Sequence, residues 1–150
     1  LLTMKLGERE CAKLLAPGVM INENHNHAVR DGEDKVLHRK GATPAEKGQM
    51  GVIPANQRDG VWITRGLGNE EFLSSASHGA GRQLSRKAAA NKGSVAELEK
   101  LMRGIICRTD KNVLDEAPWA YKKIDAVLAA QDGVLVEVID HFKPIVVLKG

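Results

Sequence analysis

Four short apolar runs, Val19-Met20-Ile21, Val36-Leu37-His38, Gly51-Val52-Ile53 and Val61-Trp62-Ile63-Thr64, are each closed off by glycine, proline, asparagine or charge. That punctuation constrains the fold most, because runs so short make strand segments and not long helices. The breakers between them, Pro54 to Gly60 and Gly66-Leu67-Gly68-Asn69, read as loops. Helical spacing appears at the two ends. Leu2, Leu6, Cys11, Leu14 and Leu15 form a stripe that stops at Pro17-Gly18. In the second half, Ala80 to Ala90 reads as a helix ending around Asn91 to Gly93. Ser94 with Glu97 makes a capping box that opens a helix to Met102. Ile105-Ile106-Cys107 reads as extended. Pro118 starts a further helix with Tyr121, Ile124, Val127 and Leu128 on one face and Gly133 at its end. Val134 to Ile139 and Ile145 to Leu148 read as the last two strands, joined around His141 to Pro144. Short strands among helices, in no regular βαβ order and without internal repeat, specify an α+β fold: layered mixed sheets with packed helices. With 150 residues, 43% apolar, the core is that of one domain.

The net charge of +3 does not by itself argue for nucleic acid, but the cations cluster at Arg39-Lys40, Arg58, Arg65, and Arg82, Arg86 and Lys87. Clustering matters more than the sum for a phosphate-bearing ligand. Cys11 and Cys107 stand far apart and read as two reduced thiols of a cytoplasmic protein. No apolar run reaches membrane-spanning length and no signal-peptide pattern opens the chain, so no membrane partner is expected. The chain begins without methionine, within a helical pattern, and reads as a fragment.

One stretch concentrates chemistry: Ser74-Ser75-Ala76-Ser77-His78-Gly79-Ala80-Gly81-Arg82-Gln83-Leu84-Ser85-Arg86. Gly79 and Gly81 let the backbone approach a bulky anion and turn N–H groups inward. A helix starting near Ala80 would add the positive end of its dipole. Arg82 and Arg86, at i and i+4, would share a face and grip phosphate oxygens. The same string also reads as a glycine-rich turn entering a surface helix. Neutral imidazole is a good nucleophile near pH 7. Attack on a nucleoside triphosphate gives a phosphoramidate whose P–N bond is labile enough to pass the nucleotide onward. Lys40, Arg82, Arg86 and a divalent ion would neutralise the phosphates. No acidic residue adjoins His78 in the sequence, so a hydrolase triad is not suggested.

Asn22-Glu23-Asn24-His25-Asn26-His27 is the densest polar cluster, and His25 is its metal-ligand candidate. One histidine does not make a site, and no partner stands at ligand spacing. The contiguous His25-Asn26-His27 triplet is not the spread-out arrangement of the nucleases named for those letters. His38, in a strand pattern, reads as structural, and His141 as facing solvent near the last loop.

Taken in order, several segments resemble the RtcB family of RNA-splicing ligases. They are His25-Asn26, His38-Arg39-Lys40-Gly41-Ala42-Thr43, Gly51-Val52-Ile53-Pro54 and Arg65-Gly66-Leu67-Gly68-Asn69-Glu70. Ser77-His78-Gly79-Ala80-Gly81-Arg82 with Ser85-Arg86, Asp115-Glu116-Ala117-Pro118 with Ala120-Tyr121, and Val147-Leu148-Lys149-Gly150 complete the series. The similarity covers the chain, residues 1–150, as the C-terminal part of a single ligase domain whose N-terminal half would lie upstream. The resemblance implies a GTP- and manganese-dependent ligase that joins RNA 2′,3′-cyclic phosphate or 3′-phosphate ends to 5′-hydroxyl ends. His78 would accept GMP, His25 would be a metal ligand, and Asn26 would lie at the nucleotide. Pro54, Ala55, Asn56 and Gln57, with His78, Gly79, Ala80 and Gly81, would cradle GMP. Tyr121 and Lys149 would meet the guanine, and Lys40, Arg82 and Arg86 would hold phosphates.

Two departures qualify that picture. Many relatives continue Ile-Pro with Gly-Ser-Met-Gly, whereas this chain has Ala55-Asn56-Gln57-Arg58-Asp59-Gly60, in which Asn56 is the expected hydrogen-bond donor. The family's other metal ligands, an aspartate, a cysteine and two histidines, belong to the upstream half. The chain by itself is therefore expected to be weakly active or inactive. A binding-only relative that keeps the phosphate cradle is the alternative; retention of His78 favours the ligase. The physiological RNA, the oligomeric state and any activating protein partner are not written in the sequence.

Overall fold

The computed structural model describes residue 21 and residues 26–148, and all structural statements concern these. The Leu2–Leu15 stripe, Val19-Met20, Cys11, His25 and Lys149 lie outside them. The α+β class holds, but the sheets are small and antiparallel, not mixed. Strand β1 (Asn26–Arg30) pairs with β2 (Val36–Lys40), with Gly32 at φ +84 in the connecting turn. A positive φ suits glycine because it has no Cβ to clash. Of the polar 22–27 cluster, Asn26 and His27 open strand β1. Asn26 is exposed and His27 half-buried there, both paired through the backbone to β2.

Strand β3 (Ala42–Pro44) pairs with β6 (Ser75–Ser77), Ala42 standing opposite Ser77. Strands β4 (Met50–Pro54), β5 (Val61–Gly66) and β7 (Val136–Phe142) form a meander-like sheet in the order β4-β5-β7, with a bulge at Ile63/Thr64. Gly66 ends β5 against the 45–46 backbone. A Cβ there would lie 2.3 Å from the Glu46 carbonyl oxygen, so no other residue fits. The expected strand at Ile145–Leu148 reduces to a bridge between Ile106 and Val146. Ile106 donates to the Ile145 carbonyl, and Val147 donates to that of Ile106.

Three α-helices follow: α1 (Arg86–Lys92), α2 (Val95–Leu101) and α3 (Ile124–Ala129). The helix expected from Ala80 starts only at Arg86, because Ser85 caps it by accepting from the Ala88 N–H. Gly81, at φ +73, lies outside it, so Arg82 and Arg86 are not on one helical face. The Ser94–Glu97 capping box of α2 is present in both directions. The helix expected from Pro118 is broken in two. A 3-10 turn spans Pro118–Ala120, Tyr121 is extended, and α3 follows separately. Val134 and Leu135 precede β7 instead of opening it, and β7 runs on to Phe142.

Two clusters bury the apolar side chains. Ile53, Ala76, Ala80, Ile124, Leu128 and Val136 join the sheet, β6 and α3, with Trp62 packed against them. Leu98, Met102, Val113, Leu114 and Ala117 form the second, beside Trp119. Trp119 also donates its indole N–H to the Ala89 carbonyl, tying this cluster to α1. Gln131 is buried between α3 and β6. Its carboxamide oxygen accepts from the Ser77 N–H and its NH2 donates to the Val127 carbonyl, which fixes the strand that leads into His78.

Candidate functional site

His78 follows β6 directly, so the β3–β6 pairing sets its position; its own N–H donates to the Gly41 carbonyl at 3.4 Å. The chain then turns against β4. The Ala80 N–H donates to the Pro54 carbonyl at 2.9 Å. A Cβ on Gly79 would sit 3.1 Å from that same carbonyl oxygen, a tight approach that a side chain would crowd. From Gly81 onward the strand-like segment zips to 120–122: Lys122 donates to the Gly81 carbonyl, Gln83 donates to that of Ala120, and Arg82 bridges Tyr121. This pairing brings Tyr121 beside the histidine loop across nearly forty residues of sequence.

Together these segments wall a cavity of about 580 Å³. Pro54, Ala55, Asn56, Gln57, His78, Gly79, Ala80, Gly81, Arg82 and Tyr121 all line it, as the sequence suggested they should cluster. Asn26, Lys40 and Arg86 do not. Asn26 and Lys40 are paired across the β1–β2 hairpin, with Lys40 one residue before Gly41. Arg86 stands beside the cavity through its contact with Glu116. His25 and Lys149 lie outside the described residues.

Glu116 is the site residue that sequence reasoning passed over. No acid adjoins His78 along the chain, yet this carboxylate lines the same cavity. It accepts a short hydrogen bond from the Tyr121 hydroxyl and pairs with Arg82 and Arg86, each at 3.1 Å. The signal was the quoted Asp115-Glu116 pair, thirty residues from two arginines of opposite charge. Asp115 completes the set, its carboxylate pairing with Arg86 at 2.7 Å and its carbonyl accepting from Arg82 at 2.6 Å. Burial, and then the Glu116 hydrogen bond and charge, push the Tyr121 phenol up to about 12, so it stays a donor at neutral pH. Arg82 also lies over the Tyr121 ring, 5.4 Å from its centroid.

Three expectations about donors change. The Gly79 and Ala80 N–H groups are engaged by Ser77 Oγ and the Pro54 carbonyl, so they are not two open amides awaiting an anion. Arg82 donates Nε to the Leu84 carbonyl, and its other two nitrogens to Asp115 and Glu116. Three of its five N–H groups are thus committed to these acceptors. Asn56 is spent inside its own loop. Its oxygen accepts from the Arg58 and Asp59 N–H groups, and its NH2 donates to Asp59. The neighbouring Gln57 is the open amide instead: it is 93% buried, lines the cavity, and neither end of its carboxamide has a hydrogen-bond partner among the described residues. A buried amide left unpaired costs about 1–3 kcal/mol, which a polar ligand in the cavity would recover.

Among the described residues no three His, Cys, Asp or Glu side chains converge, so these residues do not by themselves make a metal site. Nor is any helix among them long and apolar enough to cross a membrane. Cys107 is a free thiol, raised by burial.

Comparisons with known proteins identify the family. The family model described as tRNA-splicing ligase RtcB matches residues 5–150. The RNA-splicing ligase RtcB of Escherichia coli K12 is 46% identical over 133 residues, covering 87% of this chain and 32% of that relative. The tRNA-splicing ligases RtcB of Pyrobaculum aerophilum and Pyrococcus horikoshii are 38% and 34% identical, over 76% and 87% of this chain. They are covered over 28% and 17% of their own lengths, so the chain spans a third or less of these curated relatives.

Proposed function

The chain belongs to the RtcB family, and from that premise we propose that it carries the nucleotide-accepting part of an RNA ligase. It is the C-terminal portion of a single ligase domain, acting in the cytoplasm on RNA ends. The observation that carries the proposal is the shared cavity. An imidazole, two glycines and a buried carboxamide without partners surround a space large enough for a nucleotide.

In the proposed reaction a His78 ring nitrogen attacks the α-phosphorus of GTP. A P–N bond forms, the bond to the β-phosphate oxygen breaks, and pyrophosphate departs with that electron pair. A cyclic phosphate end is opened by water to a 3′-phosphate, whose oxygen then takes GMP from the histidine as the P–N bond breaks. The 5′-hydroxyl of the second RNA attacks the 3′-phosphate, GMP leaves, and a 3′,5′-phosphodiester remains. Gln57 binds a polar edge of the nucleotide, and the protonated Tyr121 presents its ring to the guanine. Glu116 and Asp115 fix the guanidiniums of Arg82, at the cavity wall, and Arg86, beside it, and both are assigned to the phosphates. Manganese dependence is proposed on the family resemblance alone, with His25 as one ligand, and no step here runs through the metal.

The test uses GTP labelled at the α-phosphate, with manganese. The chain alone should take up little label. With the upstream two thirds of the E. coli relative supplied, it should become labelled, and His78→Ala should abolish labelling while RNA binding survives. Efficient labelling of the chain alone would overturn the dependence on an upstream half. Undiminished labelling of His78→Ala would overturn the mechanism. A binding-only relative would take up no label under any condition.

A further inference from the structure

A second cavity, of about 700 Å³, opens beyond the 56–60 loop. Asn56, Gln57 and Gly60 face the nucleotide cavity, whereas Arg58 and Asp59 line the second, and Pro144 lines both. The two spaces are therefore separated by one loop and joined at one proline.

Its lining suits a strand of nucleic acid. Trp62 and His141 stack on each other with centroids 3.9 Å apart and planes inclined by 11°. The His141 Nε2 donates to the Asp59 carbonyl at 2.7 Å, which fixes the ring plane. Sequence reading sent His141 to solvent. It is exposed, but β7 holds it in register opposite Trp62 of β5. Around this platform stand Arg58, Arg103, Lys123 and Lys143, against Asp59 and Asp125. Arg58 is neutralised by Asp59 at 2.6 Å, while Arg103, Lys123 and Lys143 make no ion pair among the described residues. An immobilised aromatic pair ringed by uncompensated cations matches how proteins hold single strands. Bases stack on the rings and phosphates meet the charges.

We propose that this cavity seats the single-stranded RNA adjoining the reacting end, one base stacking on the His141–Trp62 pair and the phosphates held by Arg103, Lys123 and Lys143. The assignment of RNA rests on the ligase reading above. A duplex would not serve, because its bases are not available to stack.

The test is fluorescence anisotropy of a labelled 5′-hydroxyl RNA 12-mer titrated with the 150-residue chain at several salt concentrations, a circular dichroism melt confirming that each variant is folded. Arg103→Glu and Lys143→Glu, both on exposed side chains, should each flatten the slope of log affinity against log salt by about 0.7. His141→Ala should weaken binding about tenfold while leaving that slope unchanged. Unlabelled single strand should compete better than a duplex of equal length. Wild-type affinity and slope in all three variants, or equal competition by duplex, would overturn the inference. Failure here with GMP still attaching to His78 would leave the ligase reading standing. Loss of RNA binding in the variants, with no GMP uptake by the wild type even when the upstream portion is supplied, would instead sink the ligase reading and keep this cavity as a single-strand site.

Discussion

Replacing Glu116 with glutamine isolates the charge that organises the arginine-bearing side of the cavity. Glu116 is only 16% exposed and receives the Tyr121 hydroxyl and both arginines. Tyr121 is the chain's single tyrosine, so an alkaline titration followed at 295 nm reports it alone. In the wild type the phenol should titrate near the pushed-up value of about 12. Burial is the largest cause and survives the substitution; the hydrogen bond to a carboxylate and its charge do not. The midpoint in Glu116→Gln should therefore fall by about one pH unit and remain above the ordinary value. The pH dependence of stability has a fixed sign. A phenol that titrates higher in the fold contributes fully below its unfolded value near 10, and that contribution disappears as pH rises towards 12. Two pH units correspond to about 2.7 kcal/mol, which solvent around a partly exposed ring reduces to about 1 kcal/mol. At neutral pH the phenol is protonated in either state, and the variant instead weakens an Arg82 contact, costing about 1–2 kcal/mol in a denaturant titration. An unchanged tyrosine midpoint would refute the description of Glu116 as the hub of this network.

Three further outcomes follow from the packing and the loop. Gly66→Ala places a methyl 2.3 Å from the Glu46 carbonyl, with only backbone to move, and should cost about 3 kcal/mol or more in urea unfolding; a loss under 1 kcal/mol would contradict the close approach. Ile53→Ala, at a fully buried position in the core under the site, should destabilise by about 2–5 kcal/mol. The Arg58 guanidinium, and to a lesser degree the Asn56 amide, hold the Asp59 carboxyl below the usual carboxylate range, so its contribution is present at neutral pH and is lost as pH falls through the lowered value. Asp59→Asn should accordingly flatten the acid limb of a stability–pH profile, and an unaltered limb would contradict the pairing.

Much of the site could be read along the chain because its parts are contiguous. Pro54 to Gln57 and His78 to Gly81 are two short strings, and the β4 end and β6 end that carry them need only pack once to build the cavity. What escaped was the consequence of pairing at a distance. Tyr121 reads as a helical face residue from its spacing to Ile124 and Leu128, yet Arg82 recruits it into an extended bridge, and tertiary pairing overrides the periodicity. The helix onset was misplaced because Ala80 is a good helix former, whereas Gly81 at positive φ and the Ser85 cap decide where the turn begins. His141 looked like a loop residue because nothing local announces that β7 will lay it over Trp62. Asn56 and Gln57 look interchangeable as letters; only the loop's internal hydrogen bonds show which amide is spent and which is open.

The central claim is that position 78 carries the nucleotide, and the most direct measurement locates it. After incubation with GTP, manganese and the upstream portion of a relative, the peptide containing Ser77-His78-Gly79 is fragmented by tandem mass spectrometry. A mass increase equal to GMP, confined to the imidazole of His78 and removed by mild acid, is the predicted result. GMP found on a lysine, or on any peptide lacking His78, would contradict it.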